Sequence, residues 1–172
     1  DLRHQPSSRA ALARFLDFVG DDVVVVHNAE FDCAFLRHKS DGFFQNAVID
    51  TLELSRILFP KREHHDLDTL AAALGLDAGD RHRALDDCRL LVALWGRMLE
   101  RLAALPLEVV GALSAVASLT HWPARHLFLE AEAARIKDAF EVASLDFRKV
   151  LADNSRLLAE AREAQAQAQV DL

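Results

Sequence analysis

Three side chains in this sequence could do chemistry together. Asp32 closes the stretch His27-Asn28-Ala29-Glu30-Phe31-Asp32, and His82 and Asp87 bracket His82-Arg83-Ala84-Leu85-Asp86-Asp87 with four residues between them. Carboxylates can hold a divalent metal that polarises a scissile phosphate and acidifies a water. A histidine titrating near neutrality can take the proton from that water. Each residue alone also has a plainer reading. An acid in a first helical turn suits the helix dipole, a loop histidine is usually solvated, and the adjacent pair Asp86-Asp87 can be surface charge.

The elements around these residues must position them. Val23–Val26 is a continuous β-branched run, the pattern of a strand buried in a sheet interior. Asn28 caps the helix that follows, over about 29–38, with Phe31, Phe35 and Leu36 expected inside. Asp32 then falls at a strand-to-helix corner, where ligands of α/β sheets usually sit. Upstream, Ser7 or Ser8 caps a helix to Val19 with Leu12, Phe15, Leu16 and Val19 on one face, ended by Gly20. Ala47–Ile49 is a second buried strand, and Asp50 or Thr51 caps a helix running to Leu58 before Pro60. His64-His65-Asp66 reads as a solvated loop rather than a metal site, and His27 as a packed strand-end histidine.

A short helix over 67–74 precedes Gly75, and a longer one runs from about Arg83 to Ala103. Its helical spacing selects Cys88, Leu91, Val92, Trp95, Leu99 and Leu102 as the apolar face. Histidine 82 thus stands just before that helix and Asp87 within its first turn, so both can point into one cleft. Strands alternating with helices define an α/β layer architecture, and two strands are too few for an independent sheet.

From Pro106 the texture becomes helical. A helix to Leu119 is broken by His121-Trp122-Pro123, with Trp122 packing the turn. Beyond it Leu129, Ala133, Ile136, Phe140, Ala143, Phe147, Val150, Asn154, Leu157 and Ala161 alternate four and three apart. That stripe packs helices on their own or a neighbouring domain, or forms a coiled-coil contact with Asn154 setting the register. The chain therefore divides into residues 1–104, a partial α/β domain, and residues 105–172, a helical extension or linker.

Composition narrows the partners. The 172 residues are 51% hydrophobic with a net charge of −7, enough for a core and too acidic for tight duplex-DNA binding by charge alone. Residues 1–106 carry 13 Lys+Arg against 17 Asp+Glu, and residues 107–172 carry 7 against 10, so neither half is basic. No apolar run approaches the roughly 20 residues that span a bilayer, so no membrane partner is expected. Cys33 and Cys88 form no metal spacing and read as small half-buried helix residues in a reducing cytoplasm.

Residues 7 to about 104 resemble the DEDDh (DnaQ-like) 3′–5′ exonucleases, the proofreading type similar to the epsilon subunit of bacterial DNA polymerase III. The resemblance is carried by Val23–Asp32, Ile49-Asp50-Thr51-Leu52-Glu53-Leu54, His65-Asp66-Leu67-Asp68-Thr69-Leu70 and His82–Asp87, in that order. It implies a ribonuclease-H-like fold and two Mg²⁺ or Mn²⁺ ions. It also implies hydrolysis at a single-stranded or frayed 3′ end of DNA, or of RNA, in replication or repair. By position, Asp87 would be a metal ligand, Asp32 the second-motif carboxylate beside the metals, and His82 the general base.

The departure is the family's Asp-x-Glu strand, which nothing in Asp1–Gly20 resembles; Asp17 falls on a predicted helix. A domain truncated at its N-terminus is the expectation, with weak metal binding and little activity alone. The stretch Leu105–Pro123 also looks like the connection between an exonuclease and a DinG-type helicase, although no Walker motif occurs. A polymerase or helicase, as partner or fused domain, is therefore expected. The competing reading is a catalytically silent, nuclease-like docking module.

Overall fold

The computed structural model describes residues 6–77 and 84–142, together with residues 149 and 152. Histidine 82, the helix start at Arg83 and the heptad-like positions from Ala143 to Ala161 lie outside the described residues.

Helix α1 (Ser8–Val19) starts where the Ser7 hydroxyl accepts the Ala10 N–H at 3.3 Å, and stops at Gly20, φ 47°. Its Phe15 and Leu16 pack on a small core of Ala29, Cys33 and Phe44, as the apolar spacing requires. Strand β1 (Val24–Val26) and strand β2 (Val48–Asp50) pair in parallel, with Val24 beside Val48, Val25 beside Ile49 and Val26 beside Asp50. Helix α2 (Ala29–Lys39) makes the crossover between them. The Asn46 amide donates to the carbonyls of Gly20 (2.8 Å) and Asp22 (2.9 Å), holding the two strand entrances together.

Helix α3 (Thr51–Leu58) follows β2 directly, and α4 (Leu67–Ala73) follows after a loop. Asp66 caps α4 by accepting the Thr69 N–H at 2.9 Å. Helix α5 (Ala84–Ala103) and α6 (Leu107–Ser118) complete the main layer, and α7 covers 125–142. The larger core joins Leu54 and Leu58 of α3, Leu70 of α4, and Leu94, Met98 and Leu102 of α5 to Val110, Ala117 and Phe128. The helices after Pro106 thus share a core with those before it. Among the described residues no single helix is long and apolar enough to cross a membrane.

Several expectations are corrected. The β1 valines are half-buried rather than enclosed, because β1 and β2 form a two-stranded sheet among the described residues. Phe31 is 76% and Phe35 52% exposed. Helix α2 packs through Ala29, Cys33 and Leu36 instead, and the two phenylalanines, four apart, share the opposite face. On α5 the buried stripe is Leu90, Leu94, Met98 and Leu102, spaced by four, whereas Val92 is 72% exposed and Cys88 is exposed. Periodicity alone allowed either face of this Leu-rich helix, and the position of α3 and α4 selects between them. In α7, Leu129, Ala133, Ile136 and Phe140 are all exposed, so their stripe does not pack on this chain's described core.

Candidate functional site

Asp32 lies in the first turn of α2 and Asp87 in the first turn of α5, both exposed. Neither carboxylate has a hydrogen-bond or ion-pair partner among the described residues. Its neighbour Asp86 differs: its Oδ1 accepts from Arg89 at 2.9 Å along the helix. Of the adjacent pair, then, the residue chosen by motif position is the one without a partner among the described residues. No group of three or more His, Cys, Asp or Glu side chains able to hold a metal occurs among the described residues. Exposed carboxylates are hard oxygen donors that suit Mg²⁺ or Mn²⁺, which keep several waters and need few protein ligands. The donor type suits such an ion, and the described residues bring no closed cage together.

The corner that carries Asp32 is built from other residues. Asn28 occupies the cap position of α2 in the left-handed region, φ 61° and ψ 60°, and its side chain makes no capping bond. The cap expected from Asn28 comes from Asp50 instead, whose Oδ1 accepts the Asn28 N–H and whose Oδ2 accepts the Ala29 N–H, each at 2.9 Å. The same Oδ1 takes the Leu52 N–H at 2.8 Å and caps α3. Sequence reading found the second of these roles and missed the first. The available signal was register: two parallel strands aligned at their C-terminal ends place Asp50 beside Val26, two residues before Asn28.

His27 packs beneath this corner. The buried Thr51 hydroxyl donates to the Val26 carbonyl at 3.1 Å, which commits its single proton. The His27 Nδ1, 2.9 Å from Thr51 Oγ1, is therefore the donor in that contact, and Nε2 is a buried atom without a hydrogen-bond partner among the described residues. Burial pushes the imidazole below its ordinary 6.5, with Asp50, the His65 backbone and Asp66 pulling partly the other way. A histidine kept neutral and already tied at Nδ1 fits the packed role expected of it.

The loop histidine His65 is not solvated. Its Nδ1 lies 2.8 Å from the buried Ser55 Oγ, and its Nε2 donates to the Arg62 carbonyl at 3.2 Å. The next residue, Asp66, is held below the usual carboxylate range by the Thr69 N–H and hydroxyl. Both residues are spent on building the loop. Two adjoining cavities open over this end of the sheet, about 470 Å³ beside Ala29, Arg37 and Trp122 and about 380 Å³ beside His27 and His64, and they share Asn28, Leu52 and Arg56. Asp32 and Asp87 line neither of them.

The parallel β1–α2–β2 unit, with Asp32 in the first turn of its crossover helix, belongs to a ribonuclease-H-like exonuclease fold. The exonuclease family model (RNase_T) matches residues 1–95, more than half of the chain, and the chain belongs to this exonuclease family. Over 118 residues it is 33% identical to the "DNA polymerase III PolC-type" of Caldanaerobacter subterraneus subsp. tengcongensis, covering 67% of this chain and 8% of that protein. The proteins of the same name from Halalkalibacterium halodurans and Bacillus subtilis are 39% and 35% identical over 103 and 104 residues. Each of those matches covers 58% of this chain and 7% of the relative. The chain spans less than a tenth of the length of the curated relatives it matches.

Proposed function

We propose that this chain is the metal-binding part of a 3′–5′ exonuclease acting on a nucleic-acid 3′ end. DNA in replication or repair is the expected substrate, in keeping with the polymerase names of its relatives. The observation that carries the reading is the contrast among acids. Asp50, Asp66 and Asp86 are committed to backbone amides or Arg89, whereas Asp32 and Asp87 are exposed at two helix starts with no partner among the described residues.

In this reading Asp32 and Asp87 hold two Mg²⁺ or Mn²⁺ ions, Asp87 directly and Asp32 directly or through water. The bound ions supply Lewis-acid polarisation of the phosphate and acidify the attacking water. His82, on the segment leading into α5, accepts the proton from that water. Asp32 and Asp87 also orient the 3′ end by way of the waters they hold in place. A fused or associated polymerase or helicase presents the strand, in the cytoplasm. In this reading residues 1–104 form the nuclease part and residues 105–172 a helical extension that packs on the same core.

Because nothing in Asp1–Gly20 resembles the family's Asp-x-Glu strand, residues 1–172 alone are expected to bind metal weakly and to cleave little. The test joins an Asp-x-Glu strand segment of the DEDDh exonuclease type upstream of Asp1. Metal-dependent digestion of 3′ ends by the joined protein, lost in His82→Ala, is the expected result. Tight binding of two metals or vigorous 3′ digestion by residues 1–172 would overturn the inactivity. Full activity in His82→Ala would remove the base.

A further inference from the structure

Asp50 serves two corners of the fold with one carboxylate. The parallel register sets it beside Val26, and β1 leaves the sheet just beyond, through His27, to turn at Asn28. From that place Oδ1 accepts both the Asn28 and Leu52 N–H groups and Oδ2 accepts the Ala29 N–H, all within 2.9 Å. Helix α3 is thus capped from within its own chain segment and α2 from across the sheet. A left-handed non-glycine residue persists when its surroundings hold it there, and at Asn28 the partner outside its own segment is this carboxylate. Thr51 reinforces the same joint, binding the Val26 carbonyl and the His27 ring.

We propose that Asp50 is the positioning residue for Asp32. It fixes the first two amides at the start of α2, and Asp32 leaves that helix three residues after Ala29. The turn direction set at Asn28 and Ala29 therefore decides where the Asp32 carboxylate is delivered. Ligands of a small hard cation must sit close to ideal octahedral positions, so a start that can swing would spoil the site. Asp50 itself is not a metal ligand in this scheme, because both of its oxygens are committed to backbone donors. The inference rests on the reading of Asp32 as a metal-side carboxylate.

The test uses the ¹⁵N-labelled 172-residue chain, wild type and the variants Asp50→Asn and Asp50→Ala, titrated with Mn²⁺ alone. Paramagnetic broadening of amides 29–33 reports metal at Asp32, and amide hydrogen exchange reports the strap and the core. In Asp50→Ala the Asn28 and Ala29 amides exchange faster, and the Mn²⁺ affinity read at Asp32 falls about tenfold. Amides of Leu94 and Met98 keep their wild-type protection. Asp50→Asn keeps one carbonyl oxygen for Asn28 and Leu52 and falls between the two. Unchanged Mn²⁺ affinity alongside faster Asn28 exchange would overturn the positioning role and leave a purely structural cap. If Asp50→Ala loses core protection, Asp50→Asn decides by the same criterion. Absence of broadening at Asp32 in the wild type would overturn the metal reading and this inference with it, an outcome distinct from wild-type broadening that the variants leave intact.

Discussion

Trp122 donates its indole N–H to the Glu53 carboxylate at 3.1 Å, tying the segment after α6 to α3 across 69 positions of sequence. The same indole stacks on the buried Phe128, with ring centroids 5.7 Å apart. The turn between α6 and α7 is therefore anchored to the nuclease part by one amphipathic side chain, apolar on its face and bonded at its edge.

Trp122→Ala removes that anchor and is expected to cost about 3 kcal/mol, from lost packing against Phe128 and the shared core. Glu53 is exposed, so Glu53→Gln, which keeps an acceptor, is expected to cost less than about 1 kcal/mol. Urea denaturation followed by circular dichroism measures both. A Trp122→Ala midpoint equal to wild type would show that the segment is not anchored.

The two faces of α5 are separable in the same way. Leu94 is wholly buried, and Leu94→Ala is expected to lose about 3 kcal/mol. Val92, two residues away and 72% exposed, is expected to tolerate alanine within about 0.5 kcal/mol. Equal costs at the two positions would reject the assignment of the buried stripe.

His27 makes stability depend on pH. Its folded form is held below 6.5 by burial, and protonation would place a charge on a half-buried ring. Below pH 6.5 the unfolded chain binds more protons at this residue than the folded one. The contribution of the neutral ring is thus complete above pH 6.5 and is lost as pH falls from there through the folded value. Denaturation midpoints between pH 5 and 8 are expected to fall on the acid side in wild type and to fall less in His27→Gln. Parallel curves for the two proteins would exclude His27 as the source.

Asp86 and Asp87 are expected to behave oppositely toward metal. Asp87→Asn should abolish the weak Mn²⁺ site measured by electron paramagnetic resonance. Asp86→Asn should leave it in place and lose only the Arg89 pair, worth less than about 1 kcal/mol at this exposed position. Loss of Mn²⁺ binding in Asp86→Asn with retention in Asp87→Asn would exchange their roles.

The sequence by itself determined the order of elements and the residues with chemical potential. Four β-branched residues before a Gly- and Pro-free run make a strand and then a helix whatever surrounds them, and Ser7, Asp50 and Asp66 cap because their side chains reach amides two or three positions on. These are short-range effects, legible in a window of a few residues. Tertiary structure decided what depends on neighbours distant in the chain. It chose Leu94 over Val92 for the core, left Phe31 and Phe35 outside, and drew His65 onto Ser55. It also turned the Asp50 cap into a bond across to Asn28, because that contact exists only once β1 and β2 are in register. Spacing along one segment tells which residues share a face, but which face is covered depends on the element that packs against it.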